Sequence, residues 1–78
     1  MEPIHSKLAR AALNLGLREV SADLGISTAT ITRFEKAGDS RISTLKLLQD
    51  YYEGKGVILI HADETAGLGV RLKTPSTG

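Results

Sequence analysis

The stretch Val20-Ser21-Ala22-Asp23-Leu24-Gly25-Ile26-Ser27-Thr28-Ala29-Thr30-Ile31-Thr32-Arg33-Phe34 decides the fold of this chain. Val20 and Leu24 stand one helical turn apart, Gly25 interrupts, and Ile31 and Phe34 resume the helical spacing. Gly25 suits the left-handed conformation that ends a helix and turns the chain sharply. Ser27 offers a side-chain oxygen to cap the helix that follows. Ile26, just before the cap, is placed to act as a hydrophobic staple. The reading is two helices, 17–24 and about 27–36, locked at a fixed crossing angle by their inner apolar residues. That is a helix-turn-helix unit.

N-terminal to this unit, Ile4, Leu8, Ala11, Ala12 and Leu15 recur at helical spacing and predict a first helix with that face turned inward. Pro3 suits its first turn, and Asn14 and Gly16 end it. Gly38 is a stop signal for the third helix, and residues 38–41 read as a loop. A fourth helix is predicted from about Ser43 to Glu53, with Leu45, Leu48 and Tyr52 inward and Leu47 and Tyr51 on the adjoining edge. Gly54 and Gly56 close it. Beyond Gly56 the period changes. Val57-Ile58-Leu59-Ile60-His61 is a short β-branched run, residues 62–67 read as a turn, and Leu68 to Lys73 alternate. The expected architecture is therefore mainly α. Four helices occupy residues 1–56, a β-hairpin 57–73, and a flexible tail 74–78. A lone hairpin is marginal in water, so this one is expected to pack on the helices, pair with another chain, or both.

Seventy-eight residues hold one small domain. A hydrophobic fraction of 41% and a charged fraction of 24% suit a globular chain rather than a disordered one. The formal net charge of +1 excludes a polybasic coat, although a small basic face remains compatible with it. Residues 1–49 are mildly basic, 50–66 acidic and 67–78 basic, so the hairpin turn is expected to face away from any polyanion. The absence of Cys excludes disulfide scaffolds and thiolate metal sites. No run approaches the roughly 18 apolar residues of a membrane span, and the first residues lack a secretory pattern, so a cytoplasmic location is expected.

With Ile31 and Phe34 inward, Ala29, Thr32, Arg33 and Lys36 point outward, and Thr28 projects from the first turn. Hydroxyls and a small residue beside one Arg match the edges of bases in the major groove. Ser27 and the free amides of that turn can take a phosphate. The same residues also suit an ordinary solvated helix face. Other chemistry is thin. Asp63 and Glu64 read as solvated turn charges rather than an acid–base pair. Gly67-Leu68-Gly69 lacks the third glycine of a dinucleotide loop. His5 and His61 fall in different elements with no ligand cluster evident beside them. No enzyme activity, metal or cofactor is expected.

Ala9-Arg10-Ala11-Ala12-Leu13 and the run from Arg18 through Gly38, including Arg33-Phe34-Glu35-x-x-Gly38, resemble the Cro and lambda-repressor type helix-turn-helix family, also called the XRE family. The resemblance covers residues 8 to 56. The hairpin ending Gly67-Leu68-Gly69-Val70-Arg71-Leu72 is similar to an extension in some small bacterial members. The resemblance implies a transcriptional regulator, most readily a repressor, that binds an operator in double-stranded DNA as a homodimer. By position it implies base contacts from Thr28, Ala29, Thr32 and Arg33, and phosphate contacts from Ser27, Lys36, Arg41, Ser43 and Thr44. Two features, at three positions, depart from the family. Gly16 and Leu17 replace its usual Ser cap and phosphate-binding Gln, and Ser21 replaces a usual Ala. The alternative is a protein-binding module on the same fold, an antiactivator or antitoxin. For the dimer, Val57, Ile58, Leu59, Ile60 and Tyr51 are the expected interface, because a strand edge left open invites a second copy.

Overall fold

Six elements follow one another in the computed structural model, which describes residues 1–37 and 41–73. They are α1 (Pro3–Leu13), α2 (Leu17–Leu24), α3 (Thr28–Ala37), α4 (Ile42–Gly54), β1 (Val57–Ile60) and β2 (Gly69–Leu72). The fold is mainly α, four helices followed by a two-stranded antiparallel hairpin. Residues 38–40 of the expected 38–41 loop and the tail at 74–78 lie outside the described residues.

Local chemistry sets the boundaries. Pro3 opens α1, and Asn14 closes it in the left-handed conformation at φ 56°. Gly25 ends α2 at φ +69°, its N–H donating to Ser21 O at 2.9 Å. The Ser21 hydroxyl donates to Ile26 O and so fastens the turn to α2. Ser27 caps α3, its Oγ accepting the Thr30 N–H at 3.1 Å. Ile26 packs against the core beside it.

The core joins every helix to the hairpin through Ala9, Val20, Ile31, Phe34, Leu48, Tyr52 and Val57, all fully or almost fully buried. In the hairpin, Val57 pairs with Leu72 and Ile60 with Gly69. Its inner face (Val57, Leu59, Val70, Leu72) packs on the helices, so the hairpin shares their core rather than standing as a separate unit.

The structure corrects the core packing expected from the sequence in two places. Ile4 and Ala11 of the predicted inner face of α1 are exposed, and Leu8 and Ala12 are only half-buried. The buried residues are His5, Ser6 and Ala9, a face rotated by roughly a third of a turn. Polar His5 and Ser6 can be buried because each finds partners: Ser6 with Glu35 and Tyr52, His5 with Glu2 and Ile60. The second correction concerns Val57 as an interface residue. It is buried in the chain's own core, and Leu59 packs against that core from the same face. Only Ile58 and Ile60 of that strand point out, as the period of two requires. No helix among the described residues is long and apolar enough to cross a membrane.

Candidate nucleic-acid interface

α3 carries one acidic residue, and its position shapes the outer face of the helix. Glu35 follows Phe34 onto the inner side and is buried. A carboxylate there costs several kcal/mol unless it is paired. Arg10 of α1 supplies the pairing, Nε donating to Oε2 at 2.9 Å and Nη2 to Oε1 at 2.7 Å. The Ser6 hydroxyl donates to Oε2 at 2.6 Å. Its single hydrogen is thereby used, so the Tyr52 hydroxyl donates to Ser6 Oγ at 2.9 Å. Burial, with the nearby Glu35 carboxylate, pushes the Tyr52 phenol above its ordinary range. The Arg10 guanidinium is held still more firmly charged by its hydrogen bond to Glu35. No buried side-chain polar atom among the described residues lacks a partner.

The opposite side of α3 is open. Ser27, Ala29, Arg33 and Lys36 are exposed, and Thr28 and Thr32 half-buried. At 3.6 residues per turn, 28, 29, 32, 33 and 36 share one face, which is positive because the helix's acid points inward. Among the described residues neither Arg33 nor Lys36 forms an ion pair. The Ser27 hydroxyl is engaged with Thr30, accepting its N–H and sharing a hydrogen with its Oγ1 at 2.9 Å. Arg41 and Ser43 are exposed at the start of α4, Thr44 is half-buried in its first turn, and no side chain caps that helix. The described residues show no hydrogen bond between these three and α3.

Tyr51 is half-buried and engaged within the chain. Its hydroxyl donates to Asp23 Oδ2 at 2.5 Å, fastening α4 to α2, and Lys55 Nζ lies 5.2 Å from its ring centroid. Burial, then Asp23, raises its pKa far above the usual phenol range. Asp63 organises the hairpin turn. Its Oδ1 accepts from Thr65 N–H, Thr65 hydroxyl and Ala66 N–H at 2.8 to 2.9 Å, and these bonds hold the carboxyl below its ordinary pKa.

Two constellations escaped the sequence reading. Glu35 has no role in the sequence reading, although an acid directly after the inward Phe34 is the one signal that α3 has a polar partner inside the fold. The structure also corrects the expectation that His5 and His61 have no ligand cluster beside them. Glu2, His5 and His61 each bring a potential ligand atom within 4.8 Å of the others. No sequence spacing could show this, since the residues meet only when the hairpin folds back on α1. No model of a known protein family matches the chain, and no curated protein does.

Proposed function

We propose that this protein is a small sequence-specific DNA-binding regulator of transcription, a repressor that reads a palindromic operator as a homodimer through α3. The observation that carries the reading is the sidedness of α3. Its one acidic side chain is turned inward onto Arg10, leaving Thr28, Ala29, Thr32, Arg33 and Lys36 on a single outer face beyond a three-residue turn. Arg is suited to the guanine edge and Thr to a polar edge or a thymine methyl. The uncapped start of α4, with Arg41 and Ser43 exposed, suits a backbone phosphate. The resemblance to the Cro and lambda-repressor type family supports the same assignment. In the proposed dimer Ile58 and Ile60, both more than one-third exposed, face the second copy, and two α3 helices stand about 34 Å apart, one turn of DNA.

The outward isoleucines also favour a second reading, a module that binds another regulatory protein. Selection from a random DNA library, followed by titration at several salt concentrations, separates the two. A regulator yields a palindromic site. With Lys36, Arg41 and Lys46, the last exposed on α4, near phosphates in each copy, the log–log salt slope is about −5. An apolar protein contact yields no enriched sequence and little salt dependence.

A further inference from the structure

Two imidazoles and a carboxylate converge where the start of α1 meets the end of β1. His5 is fully buried there, and Glu2 and His61 are exposed. The His61 ring stands edge-on to the His5 ring, centroids 5.3 Å apart. One potential ligand atom from each of the three lies within 4.8 Å of the other two. We propose that Glu2, His5 and His61 form a site for a divalent transition-metal ion of the zinc type, which clasps the hairpin to α1.

The hydrogen bonds of His5 define how it would ligate. Ile60 O is only an acceptor, so His5 Nε2 carries the hydrogen and donates across 2.8 Å. Glu2 N–H is only a donor, so Nδ1 presents its lone pair, accepting at 3.0 Å. The ring is therefore neutral, with Nδ1 aimed toward Glu2. An imidazole that binds metal through one nitrogen while the other donates to a backbone carbonyl is the usual outer-shell arrangement of ligating histidines. Two imidazole nitrogens and a carboxylate oxygen suit zinc, cobalt, nickel or copper, and suit magnesium or calcium poorly.

The remaining adjustments are small. Ligand atoms of a tetrahedral zinc site stand roughly 3.3 Å apart, given metal–ligand distances of about 2.0 to 2.1 Å. Rotation of the exposed Glu2 and His61 side chains would bring their ligand atoms to that distance from His5 Nδ1. The Nδ1 lone pair exchanges one N–H bond for a metal bond, and the released Glu2 amide, on an exposed residue, turns to water. Water completes the fourth position. The ion would then tie the start of α1 to the residue just after β1, adding stability by mass action.

The test uses untagged, chelator-treated protein titrated with zinc chloride by calorimetry, with cobalt chloride as a spectroscopic probe. Expected results are one equivalent of zinc bound, a raised Tm, and the visible absorption of tetrahedral cobalt. Histidine ring nitrogen NMR should shift His5 Nδ1 while Nε2 keeps its hydrogen. His61→Ala and Glu2→Gln alter exposed residues and should retain the helical circular dichroism. Each should weaken zinc binding at least about tenfold, as losing even an outer-shell partner does. Failure of the wild-type chain to take up zinc saturably would overturn the proposal. So would uptake that neither variant reduces. His5→Ala is avoided, since loss of the buried imidazole could unfold the chain.

Discussion

Arg10 and Glu35 form a two-pronged ion pair between α1 and α3, with N–O distances of 2.9 and 2.7 Å and the Glu35 side chain only 3% exposed. The pair fixes the helix proposed to read DNA and removes that helix's only negative charge from its outer face. Replacing Arg10 by Ala strands a buried carboxylate, which costs about 3 kcal/mol. For a domain of this size the Tm should fall by at least about 10 °C. Glu35→Gln should cost less, since the partly exposed Arg10 can turn to water. Thermal unfolding of both variants checks the order.

Arg33 and Lys36 share the outer face of α3 but should differ in effect. Arg33→Ala should weaken operator binding by about 1–3 kcal/mol and relax the sequence preference at one position. Lys36→Ala should weaken all sequences alike and make the salt slope shallower by about 0.9 per copy. Gel shifts on operator and scrambled DNA at several salt concentrations distinguish them. An unchanged affinity in Arg33→Ala would remove α3 as the reading helix.

β1 has two faces with separate duties. Val57→Ala removes buried methyl groups and should destabilise the chain by about 1–3 kcal/mol, whatever its oligomeric state. Ile58→Lys together with Ile60→Lys changes only outward side chains. The double variant should keep its Tm at low concentration and sediment as a monomer under conditions in which the proposed dimer of the parent forms.

Gly25 tests the turn. Its φ of +69° is unfavourable for a side chain, yet a Cβ placed there would meet no atom within 4 Å. Gly25→Ala should therefore cost only the backbone penalty, about 1–2 kcal/mol. Gly25→Asn should cost less, because Asn tolerates the left-handed region. Chemical denaturation of the pair measures the difference.

Asp63 gives a pH dependence with a defined sign. Hydrogen bonds from Thr65 and Ala66 lower its folded pKa, so its contribution is present above the ordinary aspartate pKa of about 4 and is lost as the pH falls through the folded value. The Thr65 and Ala66 amide resonances should move together in that acid range. Asp63→Asn should abolish the transition, and a transition that persists would assign it to another group.

The sequence by itself determined the local elements. Gly25, Ser27 and Pro3 act on their immediate neighbours through φ preference, capping and a missing donor, and those effects need no tertiary partner. The alternating hairpin strand and the outer face of α3 were legible because side-chain periodicity follows from helix and strand geometry. Tertiary structure decided which face of α1 is buried. Apolar periodicity favoured Ile4, Leu8 and Ala11, but buried polar groups with partners compete with it. Ser6 is satisfied by Glu35 and Tyr52, and His5 by Glu2 and Ile60. Tertiary structure also decided that Val57 belongs to the core, and it gathered Glu2, His5 and His61. The physical reason is common to all three. A hydrogen bond or contact between distant residues exists only once packing has brought both partners out of water, and no pattern along the chain encodes that distance.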